Sequence, residues 1–488
     1  MKSASKFEKI AARCWNLLNE GKPFTPIFVV GTMLMYGAFN GEIHTEWTML
    51  LSSFLFLLPF LLIYFHYDFP LFLRNYLWIP LLIFVVIGGE FQVGLSLFAV
   101  GLYFFFTVFF WGTFYYHLRI GTSWLNFTRF WKLVLKNSDS TSGNAQEQLP
   151  KVLLLLNLWY WAYASGGSQL EFDMRVYGVL LLVLWLYSFI LHRYLFDWKP
   201  KYYEEKASIP AELASQDNQS NRVVVIVIDG MRKERFQEAH TPFLDSLKEN
   251  GTEYTNMETV YPARTVVCFS SMFTGTYPFE HGIKSNMVWR LGIKVESIFD
   301  SLRKVGKKGR LLGIAHLVDS MGTDVETVTA VMKNDVADKN IMEKAKFIMK
   351  EQDPDLFIVQ LIGTDQTGHS RGVLYDEYLE KIAEADDLVE DFVSWLKKEK
   401  KMDNTTLIVC ADHGQADGIG GHGHLDEGER FVPFFMNGPT IRPNLKIEEK
   451  HSLVSLASTI AVMLGTPLPS HARGPVLKEA FKRKESTS

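Results

Sequence analysis

The chain has 488 residues, which is enough for two or three domains, and its 50 basic and 54 acidic side chains leave a formal charge of −4. This balance gives no indication of a nucleic-acid partner. The three cysteines, Cys14, Cys268 and Cys410, lie far apart in the sequence, so neither a disulfide framework nor a thiolate zinc site is indicated.

The first 23 residues form a basic segment with apolar side chains at helical spacing. They lack the short apolar core that should follow the charges in a secretory signal peptide. We therefore predict an amphipathic N-terminal segment over residues 1–23. It would lie on a membrane surface or pack as a cytosolic helix on the next domain.

Residues 24–196 are dense in Leu, Phe, Trp and Tyr. A bilayer core needs about 20 apolar residues per helix, and several adjacent segments approach that length. The clearer ones are residues 47–65, 76–91, 93–116 and 176–196, and the shorter ones are residues 24–39 and 152–166. The pattern predicts an α-helical transmembrane domain of five or six helices, and hence a multi-pass protein of the cell membrane.

Three further segments complete this half of the chain. Residues 126–136 read as a basic amphipathic helix at the membrane interface, and residues 137–148 as a polar loop. Residues 197–221 lose the apolar density and are predicted to be a linker. A second domain is then expected over residues 222–480.

The membrane side of that second domain is left open by the charges. Lys and Arg concentrate before the first span, in the connection over residues 119–151, and after the last span. With six spans, the positive-inside rule places the second domain in the cytoplasm. With one span fewer, it lies outside.

The second domain contains three apolar runs that end in aspartate. Residues 223–228 precede Asp229, residues 356–361 precede Asp365, and residues 406–411 precede Asp412. Runs of this kind are typical of buried parallel strands, and the helical pattern over residues 375–400 between them indicates an α/β domain with a mostly parallel central sheet. Ligands bind at the carboxyl ends of such strands, where all three aspartates would lie.

Histidines accompany these aspartates. His369 follows Asp365, His413 follows Asp412, and His422 and His424 lie in a glycine-rich loop. Taken singly, an aspartate after a strand is more often a turn former or a helix cap than a metal ligand, and a lone Asp-His pair is also a weak indication. Together, the aspartates and histidines suit two divalent ions, zinc or manganese, which can clamp the attacking and leaving oxygens of a phosphoryl group.

Thr265 precedes the predicted helix VVCFSSMF. At a helix N-terminus, the dipole and a metal would both favour its alkoxide, which makes Thr265 a candidate nucleophile. Arg264 and Arg371 are candidates for holding phosphate oxygens, although either could instead form a surface salt bridge.

The motifs occur together and in a fixed order. They are Asp229-Gly, Pro262-x-x-Thr265, Thr274-Gly-Thr-Tyr-Pro, His281-Gly, Asp365-x-x-x-His369, Asp412-His413-Gly and Gly421-His422-Gly. The set resembles the alkaline phosphatase superfamily and, within it, the type I phosphodiesterase/nucleotide pyrophosphatase branch. The segment GTDQTGHSRGVLYDEYLEKI looks most like the ethanolamine phosphate transferases that build glycolipid anchors.

The resemblance implies roles for individual residues. One zinc ion would be held by Asp229, Thr265, Asp412 and His413, and the other by Asp365, His369 and His422, with His424 as the second choice. Thr265 would carry a covalent phospho-intermediate that an acceptor hydroxyl or water discharges. Candidate substrate-binding residues are Arg264, Cys268, Arg371 and His424.

The expected function is that of a membrane-bound two-metal phosphotransferase or phosphodiesterase. Its expected substrate is a phosphodiester such as a phosphoethanolamine head group, with a membrane lipid as donor or acceptor and no obligate protein partner inferable. One alternative is a phosphodiesterase of a soluble substrate that is merely anchored; another is a transporter with a regulatory α/β domain. The N-terminal membrane half looks like that of bacterial lipid A phosphoethanolamine transferases and lipoteichoic acid synthases, whose catalytic domains lie outside the cell.

Overall fold

The structure is a computed structural model, which describes residues 21–40, 47–67, 75–87, 89–135, 145–166, 173–195, 200–213, 220–286, 288, 291–328, 336–417, 421–423 and 426–482. Two compact units form: a helical unit (Cys14–His117 with Ser123–Trp198) and an α/β unit whose main part is Lys199–Ser488. Most of the predicted N-terminal segment, residues 1–20, lies outside the described residues.

The helical unit is built from short and long apolar helices. They are α1 (Gly21–Phe39), α2 (Trp47–Leu55), α3 (Leu58–His66), α4 (Trp78–Val86), α5 (Val93–Phe104), α6 (Tyr116–Ile120), α7 (Asn126–Leu135), α8 (Ala145–Gly166) and α9 (Met174–Ile190). Wider π-helical turns, Phe105–Tyr115 and Leu191–Leu195, continue α5 and α9.

Two helices of the described part are long and apolar enough to cross a membrane by length and composition, Val93–Leu118 and Met174–Tyr194. Five or six spans were expected. The predicted span over residues 47–65 is divided into α2 and α3, with Pro59 in the first turn of α3. Proline has no N–H to donate to the preceding turn, which explains a break there.

The predicted polar loop over residues 137–148 is wrong at its C-terminal end, because α8 begins at Ala145. Residues 136–144 lie outside the described part. Gln148 is buried and accepts a 2.7 Å hydrogen bond from Thr25, and Glu147 pairs with Lys151 at 2.6 Å. Each of these side chains thus has a polar partner inside the helical unit, which lets an apolar helix start among polar residues.

The α/β unit contains eleven described strands. They are β1 (Arg222–Ile228), β2 (Thr252–Tyr254), β3 (Met257–Glu258), β4 (Gly309–Ile314), β5 (Val325–Val328), β6 (Leu356–Leu361), β7 (Thr405–Cys410), β8 (Phe431–Val432), β9 (Phe434–Asn437), β10 (Leu445–Ile447) and β11 (His451–Ser452). Eight form one sheet in the order β10-β2-β9-β7-β1-β6-β4-β5, and three form a second sheet in the order β11-β3-β8.

Helices cover the large sheet. They are α10 (Lys233–Glu238), α11 (Pro242–Glu249), α12 (Thr265–Thr274), α13 (Pro278–His281), α14 (Ile298–Lys304), α15 (Val318–Met321), α16 (Ala337–Glu351), α17 (Gly363–Arg371), α18 (Asp376–Lys398), α19 (Glu427–Arg430) and α20 (Ser455–Met463). The predicted helix over residues 375–400 is α18, shortened by one residue at its start and two at its end.

The three strands that were predicted to end in aspartate are neighbours at the centre of the sheet. β1 pairs in parallel with β6 on one side and with β7 on the other, so that Val227 lies opposite both Gln360 and Cys410. Every residue of β6 and β7 is buried. The continuous apolar runs therefore reflect a sheet covered on both faces, and their carboxyl ends meet at one edge.

The predicted linker is bonded to the α/β unit over its described residues 200–213. The Lys201 N–H donates to Glu258 at 2.6 Å, and the Lys201 carbonyl accepts from the Tyr277 hydroxyl at 3.0 Å. The Ala207 N–H donates to the Ala472 carbonyl at 2.8 Å. Because both its backbone donors and acceptors are used, this part is an extended strap rather than a free connection.

Candidate metal centre

The three aspartates converge because each follows a central strand. Asp229 comes directly after β1, Asp412 follows β7 after one residue, and Asp365 lies in the first turn of α17, just beyond β6. Asp229 and Asp412 are 2% and 0% exposed. Two of the three carboxylates at this edge of the sheet are therefore almost fully buried, and Asp365 is half-buried.

His413 joins two of these carboxylates. Its Nε2 lies 3.4 Å from Asp229 Oδ1 and 3.4 Å from Asp412 Oδ2. Its Nδ1 lies 2.9 Å from the Gly414 carbonyl and donates to it, which leaves the Nε2 lone pair facing the carboxylates. The three side chains offer ligand atoms within 4.8 Å of one another, a spacing that could hold a metal ion.

A second group of potential ligands comprises Asp365, His413 and His422. His422 Nε2 lies 3.7 Å from Asp365 Oδ1, while its Nδ1 donates to the Ala263 carbonyl at 2.7 Å. The rings of His413 and His422 are stacked at a centroid distance of 3.8 Å. His369 also approaches Asp365 Oδ1, at 3.3 Å. His413 is thereby common to both groups, whereas the sequence assigned it to one.

The donor set fits divalent cations. Asp229 Oδ1 and Asp412 Oδ2 are buried and have no hydrogen-bond partner among the described residues. Burial, and for Asp229 also the charge of Asp412, raises the pKa of both carboxyls. Burial lowers the pKa of His422, so its imidazole is neutral and able to ligate at neutral pH. A divalent ion would satisfy the two orphaned oxygens and offset the repulsion between the carboxylates.

Thr265 is the first residue of α12 and is 5% exposed. Its Oγ1 lies 3.2 Å from His413 Nε2, so the hydroxyl lies beside the imidazole that both ligand groups share. The helix also directs its N-terminal dipole at this point. Placement at a helix N-terminus was expected from the sequence.

Asn286 is a site residue that the sequence reasoning missed. Its Oδ1 accepts from the Val266 N–H at 3.0 Å, which places its amide at the start of α12 beside Thr265. Residue type gave no signal for this position. The nearest indication was the His281-Gly motif five residues earlier.

The remaining candidates lie less centrally. The guanidinium of Arg264 packs against Gly423, because a Cβ added to this glycine would lie only 2.8 Å from Arg264 Nε. Cys268 was a candidate for binding the substrate. Its side chain is fully buried, and its thiol contacts the Thr259 hydroxyl at 3.3 Å. Arg371 is half-buried at the last residue of α17. His424 lies outside the described residues.

Asp338 supports the turn that carries Asp365. It is 3% exposed, and its carboxylate accepts from the Ile362 N–H at 2.7 Å and from the Gly363 N–H at 3.0 Å. Burial raises its pKa to about 6. Replacing Asp338 with asparagine should weaken these hydrogen bonds and lower the free energy of unfolding by about 1–3 kcal/mol. Chemical denaturation of the purified variant measures this change, and an unaltered midpoint would contradict the supporting role.

Comparisons with known proteins define the class. Residues 223–304 match the family described as type I phosphodiesterase / nucleotide pyrophosphatase, and residues 301–468 match the metalloenzyme superfamily. With the mostly parallel sheet and the ligand groups, these matches support a metal-dependent phosphotransferase or phosphodiesterase. The cofactors implied are divalent metal ions.

Individual relatives share about a quarter of their aligned residues with this chain. The human GPI ethanolamine phosphate transferase 3 catalytic subunit is 25% identical over 294 residues, covering 55% of this chain and 26% of the relative. Human ectonucleotide pyrophosphatase/phosphodiesterase family member 1 is 26% identical over 216 residues, covering 39% of this chain and 23% of the relative. The chain thus spans about a quarter of the length of these curated relatives.

A solved structure of murine ectonucleotide pyrophosphatase/phosphodiesterase 5, an inactive variant with AMP, superposes with a TM-score of 0.47. It is 15% identical and covers 54% of this chain and all of its own length.

Proposed function

We propose that this protein is a membrane-bound, two-metal phosphotransferase or phosphodiesterase that acts on the head group of a phospholipid, such as phosphoethanolamine, through a covalent intermediate on Thr265. The observation that carries the proposal is the position of the Thr265 hydroxyl, 3.2 Å from the imidazole shared by the two ligand groups. The proposal includes a membrane domain over residues 24–196 and a catalytic domain over residues 222–480.

The proposed ligands are the members of the two groups together with His369, which lies 3.3 Å from Asp365 Oδ1. Asp229, Asp412 and His413 would hold one ion together with Thr265, and Asp365, His369 and His422 would hold the other, with His413 between them. Zn²⁺ is the ion that this mixture of carboxylate and imidazole suits best, and Mn²⁺ the next. When bound, the two ions would favour the Thr265 alkoxide and neutralise charge on the phosphoryl oxygens.

The reaction requires two displacements at phosphorus. In the first, Thr265 Oγ1 forms a bond to phosphorus while the bond from phosphorus to the lipid alcohol oxygen breaks, and that alcohol leaves with a proton. In the second, an acceptor hydroxyl or water attacks the phosphothreonine and releases the Thr265 hydroxyl. The Asn286 amide, held beside Thr265 by the Val266 N–H, is placed to bind a phosphoryl oxygen.

A lipid substrate is supported by two observations. Two helices of the described part meet the length and composition of a membrane span, and the strap over residues 200–213 joins the end of the second of these to the catalytic unit in sequence. The relatives named GPI ethanolamine phosphate transferases act, by their names, in building a lipid anchor.

The relatives named ectonucleotide pyrophosphatase/phosphodiesterase favour a second candidate function. In it, the same centre cleaves a soluble phosphodiester and the helical unit serves as an anchor. A substrate panel separates the two: phospholipids with different head groups on one side, and nucleotide diesters and phosphomonoesters on the other.

The test of the leading proposal is intact-protein mass spectrometry of the Zn²⁺-loaded protein after incubation with a mixed phospholipid extract. We expect an added mass that corresponds to the transferred head group and is absent from Thr265→Ala. Diester turnover by Thr265→Ala should fall about 10³-fold or more, because no other hydroxyl is bonded to His413 among the described residues.

Thr265→Ser is the matched variant, since it retains the hydroxyl and should retain the adduct. Thr323→Ala, an exposed threonine of the same unit, controls for handling. Full turnover by Thr265→Ala would overturn the covalent mechanism. An adduct formed only with soluble diesters would favour the second function.

A further inference from the structure

Gln360 is a polar residue in the middle of the apolar core. It lies on β6, is 0% exposed, and its Nε2 donates to Asp229 Oδ2 at 2.6 Å. Its Oε1 accepts from the Ile314 N–H at 2.9 Å. That second bond fixes the orientation of the amide, because of its two ends only the carbonyl oxygen can accept from a backbone N–H. The amide nitrogen must therefore face Asp229.

Gln415 also holds a carboxylate, that of the other ligand group, but it donates to the oxygen that faces the histidines: Asp365 Oδ1 lies 3.3 Å from His369 Nε2 and 3.7 Å from His422 Nε2. Gln415 is 0% exposed, and its Nε2 donates to Asp365 Oδ1 at 2.6 Å and to the Asp365 carbonyl at 3.1 Å. Two oxygen acceptors require the nitrogen on that side, so this amide is oriented as well. Each candidate ligand group thus has one carboxylate that is held by one buried glutamine.

We propose that Gln360 and Gln415 are positioning residues that each prepare a different metal site: Gln360 the site of Asp229, and Gln415 the site of Asp365. The inference rests on the proposed function for the identity of the ligands. Gln360 occupies Oδ2 of Asp229 and leaves Oδ1, the buried oxygen without a partner, directed at His413. The hydrogen bond thereby decides which oxygen is available to an ion.

The choice of an amide has an electrostatic reason. Among the described residues, the ion pairs of Asp229, Asp365 and Asp412 are all made with histidine rings. A lysine or arginine at position 360 or 415 would neutralise the carboxylate and repel a divalent ion a few ångströms away. Glutamine orients the carboxylate without cancelling its charge, so the full attraction for the cation is kept.

The experiment is a Zn²⁺ titration of the metal-stripped full chain in detergent, in competition with a chromophoric chelator that resolves two binding steps. Asp229→Asn and Asp365→Asn first identify which step belongs to which site. We expect Gln360→Met to weaken the step that Asp229→Asn abolishes by about 10–100-fold, and to leave the other step within about threefold. Gln415→Met should do the converse.

Gln352→Met is the matched control. Gln352, the residue after α16, also donates to a carboxylate, that of Glu326 on β5 at 3.0 Å. Neither residue belongs to a candidate ligand group. The Gln352→Met variant should leave both binding steps unchanged. Should Gln360→Met fail to fold, Gln360→Asn keeps the polarity but is one methylene too short to bridge Asp229 and Ile314.

The outcomes separate the two levels of the proposal. A wild-type chain that binds fewer than two ions would overturn the proposed metal centre itself. Two ions in the wild type, with both glutamine variants behaving like Gln352→Met, would overturn the positioning roles and leave the proposed function standing. Equal weakening of both steps by either variant would also overturn the inference, because a general structural defect does not discriminate between sites.

Discussion

Replacing His413 with alanine is expected to remove both metal ions and to lower turnover about 10³-fold or more. His413 Nε2 lies within reach of Asp229, Asp412 and Asp365, and it belongs to both ligand groups. Its loss leaves only Asp229 and Asp412 of the first triad, and it removes from the second group the ring that stacks on His422 at 3.8 Å and positions that imidazole beside Asp365 and His369. Because a catalytic metal supplies several kcal/mol of transition-state stabilisation and about 1.4 kcal/mol is a factor of ten, a loss of this size follows.

The measurement is metal content per chain by inductively coupled plasma mass spectrometry, together with diester turnover. Asp229→Ala and His422→Ala are the informative comparisons, since each belongs to one group and should lose one ion. His240→Ala, an exposed histidine of the same unit, should keep both. Retention of one full equivalent of metal by His413→Ala would contradict the shared position and favour two separate ligand sets.

The sequence predicts the sheet edge well because strand ends are local features. The run of β-branched residues in β1 is followed directly by Asp229, and the apolar runs of β6 and β7 are followed within four residues by Asp365 and Asp412. Parallel pairing then brings the three carboxyl ends together without further information. The α/β class and the meeting of Asp229, Asp365 and Asp412 follow from this.

The sharing of His413 could not be predicted in the same way. It depends on a ring stacking distance of 3.8 Å between His413 and His422, and the loop that carries His422 is held by the Ala263 carbonyl and not by a neighbour in sequence. The roles of Gln360 and Gln415 were hidden for a related reason. Nothing in the sequence next to a glutamine shows that its amide will lie beside a carboxylate, because that neighbour is brought there by the tertiary fold.

Two residues of the motifs that carry the family resemblance have packing or hydrogen-bonding roles in the fold. His281 is buried; its Nδ1 accepts from the Ile283 N–H at 3.1 Å and its Nε2 lies 2.9 Å from the Ser271 hydroxyl on α12. Gly414 is required by close packing, because a Cβ there would lie 2.0 Å from the Gly428 carbonyl oxygen. The Asp-His-Gly motif therefore joins two candidate ligands to one packing residue.

The helical half was harder to predict because hydropathy does not report where a helix breaks. Residues 152–166 read as a short, weak span, yet they belong to α8, a helix of 22 residues whose side chains at positions 152–156 are largely buried. Polar partners such as Asn157 and Ser96, 3.0 Å apart, account for its position inside the helical unit. Pairing of this kind depends on tertiary contacts that no window of sequence contains.

Metal is expected to stabilise the protein more as the pH rises. Burial raises the pKa of Asp229 and Asp412 above the value they have in the unfolded chain, about 3.9. The metal-free folded state then binds more protons than the unfolded state. The contribution of these two groups to the stability of the metal-free protein is therefore fully present below about pH 4 and is lost as the pH rises through their folded pKa values. Metal binding needs both carboxylates ionised, so its affinity changes in the opposite direction.

The measurement is the melting temperature of the detergent-solubilised chain from pH 5 to pH 8, with EDTA and with Zn²⁺. One ion at about 100 times its Kd adds about 2.7 kcal/mol, which corresponds to about 5–10 °C for a domain of this size. This gap should open at high pH and narrow toward pH 5. In the double variant Asp229→Asn with Asp412→Asn, most of the difference in melting temperature between the Zn²⁺ and EDTA samples should disappear. The melting temperature of the metal-free double variant should also fall less as the pH rises, because the two titrating groups are gone. A difference in melting temperature between the Zn²⁺ and EDTA samples that does not change with pH would contradict a role of these carboxyls in metal binding. The reason is that ionising two buried carboxylates without a cation lowers the stability of the folded protein.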